Sequence, residues 1–99
     1  MIRDKWNINK DYKEASIAIL RDNLPSLRAK VGINQEEIAN IIGLSRQYYY
    51  AIENKKKSMS WNTYLSLMFF FGMCTASAEM LKELRIYPID LVMKFNDQM

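Results

Sequence analysis

The sequence predicts an all-α fold, and three observations carry that prediction. Apolar residues recur at spacings of three and four along most of the chain, the period of an amphipathic helix. Residues that start helices (Asn, Ser, Thr) and residues that stop them (Gly) stand at the ends of those periodic stretches. Only three Gly and two Pro occur in 99 residues, so little open loop is left between them. A composition 49% hydrophobic and 25% charged is that of a folded chain rather than a disordered one, and the length suits a single domain with one core.

The elements follow in order. Met1 to Asn9 is charged and lacks the apolar run of a signal peptide. Ile17, Leu20, Leu24, Leu27 and Val31 mark a first helical region. Pro25 lacks a backbone N–H and crowds the carbonyl of Arg21, which predicts a kink or break near Asn23. A break would leave an N-terminal helix over 10–22 and a new helix capped by Asn23 and stopped by Gly32. Asn34 and Glu37 have the spacing of a capping box, and Glu36 and Glu37 suit the positive end of the helix dipole. Ile38, Ala39, Ile41 and Ile42 carry this helix to Gly43. Ser45 then caps a helix over Arg46 to Asn54 with Tyr49 and Ile52 inward, so 34–54 reads as two short helices around a glycine turn.

Lys55 to Met59 is a basic connector, and Ser60 caps a helix from Trp61 to about Gly72. That helix is apolar nearly all round and needs two partners. Thr75 opens another, and Pro88 suits the first position of a last helix with Leu91, Val92 and Phe95. A core over 23–73 followed by C-terminal helices over 75–99 is the expected organisation.

The net charge of +3 is uneven: residues 21–61 carry +3, whereas residues 1–20 carry +1 and residues 62–99 carry −1. A basic centre suits a polyanion, although a lysine run fits a solvated turn equally well. The chain has no histidine, no glycine-rich phosphate loop and a lone cysteine, Cys74. An imidazole base, a histidine metal ligand and an activated thiol are therefore missing, so no catalytic residue, metal, cofactor or small-molecule substrate is expected. Cys74 is expected as a small buried apolar residue in a cytoplasmic protein. The longest apolar run, Tyr64 to Met73, is too short to cross a bilayer, so no membrane partner is expected.

A helix-turn-helix projects the first turn of its second helix outward, and here that turn carries Arg46 and Gln47, with Tyr50 and Asn54 on the same side. Arg pairs with two acceptors on a guanine edge and Gln does the same for adenine. Gln35, beside the free N–H groups of the first motif helix, suits a phosphate.

Residues 24–58 resemble the XRE family, the helix-turn-helix class of lambdoid phage repressors and Cro proteins. The likeness lies in Leu27-Arg28, the GINQEEIA block at Gly32–Ala39, GLSRQ at Gly43–Gln47 and AIEN at Ala51–Asn54. The resemblance implies a lambda-repressor-like bundle, here with an N-terminal helical extension and extra C-terminal helices. It also implies a homodimer on palindromic double-stranded operator DNA. Carried over residue by residue, Gln35 contacts phosphate, and Arg46, Gln47 and Tyr50 face base edges. Asn54, Lys55, Lys56 and Lys57 hold the backbone, and Ser45 and Tyr48 stand among the same DNA contacts. Arg28 and Glu53 match a structural pair that ties the first domain helix to the end of the recognition helix.

Two departures stand out. Lys55 occupies a position usually held by Gly, so it must take a positive φ or another turn. Tyr48 and Tyr50 are bulky where small residues are common, and fit surface packing as well as base contact. Phe69, Phe70, Leu91 and Phe95 are expected at a dimer interface, because an exposed patch of that kind is costly. The rival reading is a helix-turn-helix fold that holds a protein partner, as an antitoxin holds a toxin.

Overall fold

A computed structural model describes residues 2–97. Among them there are six α-helices, one 3-10 turn and no strand. The turn spans Asp4–Trp6, followed by α1 (Lys10–Val31), α2 (Gln35–Ile42), α3 (Arg46–Glu53), α4 (Trp61–Met73), α5 (Thr75–Glu83) and α6 (Ile89–Asp97). The expected helical bundle is present, with its helix boundaries close to those the sequence suggests.

Local chemistry sets most of these ends. Asn9, Asn34, Ser45 and Ser60 each accept a hydrogen bond from a backbone N–H in the first turn of the helix that follows. Gly32 and Gly43 close α1 and α2 in the left-handed conformation, at φ 79° and 82°, where a side chain would be strained. Pro88 lies one position earlier than expected. Its carbonyl accepts the bond from the Val92 N–H, so it precedes α6 instead of being its first residue.

The break near Asn23 does not occur. α1 runs unbroken through Pro25, and the expected separate helix over 10–22 is its first half. Leu20, Leu24 and Leu27 lie on both sides of the proline and are fully buried, while Pro25 itself is exposed. Burying one such leucine is worth about 1.5–3 kcal/mol. Three of them outweigh the roughly 3 kcal/mol that an interior proline costs. Asn23 caps nothing; its side-chain amide donates to the Ile19 carbonyl, 2.8 Å away, within the same helix.

The core joins these leucines to Ile38 and Ala39 of α2, Tyr49 and Ile52 of α3, Met59 of the connector, and Tyr64, Leu67, Met68 and Phe71 of α4. Leu81 of α5 and Ile86 close its far side. α4 packs against α1, α2 and α5, which covers most but not all of its apolar circumference. Phe69 and Met73 stay outside, 69% and 71% exposed. Cys74, expected in the core, is only half-buried at the junction of α4 and α5.

The N-terminal turn and the start of α1 meet α6. Trp6 lies against Phe95 with ring centroids 5.3 Å apart, and the Tyr12 hydroxyl donates to Asp90 at 3.4 Å. Trp61 stacks on Tyr64, its indole also lies against Tyr87, and the Lys13 ammonium sits over the same indole at 5.2 Å. The Tyr64 hydroxyl donates to the Tyr87 carbonyl. α6 contributes no fully buried residue; Ile89 packs partly buried against the core, and Asp90 and Phe95 make the contacts to Tyr12 and Trp6. No described helix is long and apolar enough to cross a membrane.

Candidate nucleic-acid interface

The interface begins with the caps that aim α2 and α3. The Asn34 side chain accepts from the Glu37 N–H at 2.8 Å, and the Glu37 carboxylate accepts from the Asn34 N–H at 3.0 Å. Gln35 is the first residue of α2 and is half-buried beside this box. At the other end of α2, the Leu44 N–H reaches back to the Ala39 carbonyl at 2.9 Å, which tightens the turn around Gly43. Ser45 Oγ then accepts from the Tyr48 N–H at 3.1 Å and starts α3.

α3 has two unlike sides. Tyr49 and Ile52 are completely buried and seat the helix against α1 and α2. Arg46, Gln47 and Tyr50 stand on the opposite side, all exposed, and together line one open hollow of about 310 Å³. Tyr48 is 37% exposed and Tyr50 49% exposed, so neither aromatic belongs to the core. Arg46 has no acidic partner among the described residues, which leaves its guanidinium donors available.

The far end of α3 is locked to α1. Arg28 donates to both carboxylate oxygens of Glu53, from Nε at 3.2 Å and from a terminal nitrogen at 2.7 Å, the two-point geometry that suits a guanidinium best. Both side chains are largely buried. The hydrogen bond to Glu53 raises the Arg28 pKa further, so the guanidinium keeps its charge. The Tyr49 hydroxyl is buried next to this pair without a hydrogen-bond partner among the described residues. Burial, with the Glu53 carboxylate second, pushes its ionisation well above the usual tyrosine range. The pair expected at Arg28 and Glu53 is therefore a physical tie that fixes the tilt of α3.

Beyond α3, the four candidate backbone residues separate. The Asn54 side-chain amide donates to the Tyr50 carbonyl at 2.9 Å and so closes the helix. Lys55 takes the left-handed conformation, φ 65°, at the position where a glycine would be relaxed. Its ammonium meets Asp22 of α1 at 3.4 Å, an exposed pair worth little. Lys56 and Lys57 are exposed and have no acidic partner among the described residues. Their backbone N–H groups both bond the Ala51 carbonyl, so the turn that presents them is tight. The sequence gives no sign that Asp22 would draw off Lys55, because 33 positions separate them and only the fold brings them together.

The expected dimer residues also separate. Phe69 faces solvent, whereas Phe70 is half-buried edge-on against Phe71. Leu91 is half-buried, and Phe95 lies against Trp6.

Residues 26–60, about a third of the chain, match the helix-turn-helix family. The match starts within α1, takes in α2 and α3 and ends at the cap of α4. The matched segment is an XRE-type helix-turn-helix domain. No curated protein and no solved structure gives a significant match. The XRE-type domain is a double-stranded DNA-binding module of gene regulators and not an enzyme family. Within it α2 is the first motif helix and α3 the second, and the hollow lined by Arg46, Gln47 and Tyr50 lies on the outer face of the second. Residues 10–25 of α1 and all of α4, α5 and α6 lie outside the matched segment.

Proposed function

We propose that the protein is a homodimeric repressor that occupies a palindromic operator in the cytoplasm and performs no chemistry of its own. One observation carries this reading. Arg46, Gln47 and Tyr50 project together from the outer face of α3, while Tyr49 and Ile52 on its inner face are fully buried. A helix anchored so firmly on one side and so polar on the other suits the major groove.

In this reading Arg46 and Gln47 read base edges, since each offers the paired hydrogen-bonding groups that discriminate bases. Tyr50 packs against sugars or thymine methyl groups beside them, with Tyr48 at the rim. Gln35 and Ser45, next to the N-terminal ends of α2 and α3, meet phosphates where backbone N–H groups gather. Lys56 and Lys57 hold the backbone just past α3. Asn54 and Lys55 play smaller parts, because one closes the helix and the other faces Asp22.

Titration of the protein into duplex DNA at a series of salt concentrations tests the reading. Affinity should fall linearly on a log–log plot, by about 0.9 in slope for each phosphate neutralised. Lys56→Ala should weaken all sequences alike and reduce that slope by about one unit. A flat salt response would overturn the assignment.

A further inference from the structure

We infer that Asp22 is an internal competitor of DNA. It holds the Lys55 ammonium in the free protein, yields it to a backbone phosphate on binding, and so weakens binding to duplexes of every sequence. The inference rests on the placement of Lys55 among the backbone contacts proposed above, and it adds an acidic residue that opposes them.

Of Arg46, Lys55, Lys56 and Lys57, Lys55 alone meets a carboxylate among the described residues. Its Nζ lies 3.4 Å from Asp22 Oδ1, and both side chains are more than half exposed. Glu53, the acid at the end of α3, is different: it is buried and held at two points by Arg28. Asp22 thus offers Lys55 what a phosphate offers, an anionic oxygen in reach of solvent. It does so from a part of α1 outside the matched segment.

The backbone keeps Lys55 in place while its ammonium changes partner. The Lys55 N–H donates to the Ile52 carbonyl at 3.1 Å, and the next two N–H groups close on the Ala51 carbonyl. The turn itself needs only a residue that tolerates φ 65°, which glycine does without strain. A lysine there adds nothing to the turn except a charge directly past α3. That charge is loosely held, because an exposed ion pair is worth little. The dense charge of a duplex can displace such a pair. Asp22 is then left beside the phosphates, a like charge well inside the Debye length. The penalty is the same on any duplex, since phosphate contacts carry no sequence information.

Titration of the full chain into a duplex of arbitrary sequence, at several salt concentrations, tests the inference. Asp22→Asn should tighten binding roughly two- to fivefold, the range that an exposed ion pair spans. It should also steepen the log–log salt slope by up to about 0.9, one more phosphate neutralised without an opposing carboxylate. Glu83→Gln changes the net charge equally, at an exposed position of α5, which packs against α1 and α4. It should leave both affinity and slope nearly unchanged. With Lys55→Ala already in place, the gain from Asp22→Asn should fall by about half or more. Circular dichroism should be the same for all these chains. Unchanged affinity in Asp22→Asn overturns the inference, as does an equal gain from Glu83→Gln or an equal gain without Lys55. A chain that binds DNA but ignores Asp22→Asn sinks this inference alone, whereas no binding by either chain sinks the proposed function with it.

Discussion

The region around α3 and the region around α4 are assembled from different chemistry. α3 is a short helix placed by polar groups: a serine cap at one end, an asparagine amide and an Arg28–Glu53 pair at the other. Only Tyr49 and Ile52 are fully buried from it. α4 buries Thr63, Tyr64, Leu67, Met68 and Phe71, and its outer contacts are mainly ring against ring. The difference fits the proposed function. A surface that meets DNA must keep one side of its helix polar and open, so its position has to be fixed from the ends. A helix at the centre of a bundle is held by burial around most of its circumference.

The largest test of that contrast is on α4. Phe71→Ala removes a completely buried ring and should lower stability by about 3–5 kcal/mol, read from the urea midpoint at unchanged slope. A loss under about 1 kcal/mol would mean that α4 is not where the core is concentrated. On the other side, Arg28→Ala leaves Glu53 buried and unpaired and should cost about 3 kcal/mol. Hydrogen exchange should show that cost as faster opening of α3 first; equal acceleration in α4 would erase the distinction between the regions. The smallest effect belongs to Tyr49→Phe. Its hydroxyl is buried with no hydrogen-bond partner among the described residues, so removing the oxygen should leave stability unchanged or raise it by up to about 1 kcal/mol. A clear loss of stability there would show that the hydroxyl is part of the Arg28–Glu53 tie.

What was legible in the sequence follows the same division. The α2–turn–α3 unit could be read almost residue by residue. Its signals are local: Asn34 with Glu37, Gly43 at a positive φ, Ser45 before the second helix, and an apolar period that puts Tyr49 and Ile52 inside. Features that depend on distant partners could not be read. Pro25 signals a break at short range, but the buried stripe of Leu20, Leu24 and Leu27 decides otherwise. Nothing near Lys55 points to Asp22, nothing near Trp6 points to Phe95, and nothing near Tyr12 points to Asp90. Phe69 and Phe70 look equivalent in sequence, yet only the fold turns one out and tucks the other in.

The central claim is that the outer face of α3 reads DNA through Arg46 and its neighbours. Selection of bound duplexes from a randomised library, with the wild-type chain and with Arg46→Ala side by side, tests it most directly. The wild-type chain should yield a two-fold symmetric motif, and Arg46→Ala should relax one base position per half-site, a discrimination of about 1–3 kcal/mol. An identical motif from both proteins would contradict the account.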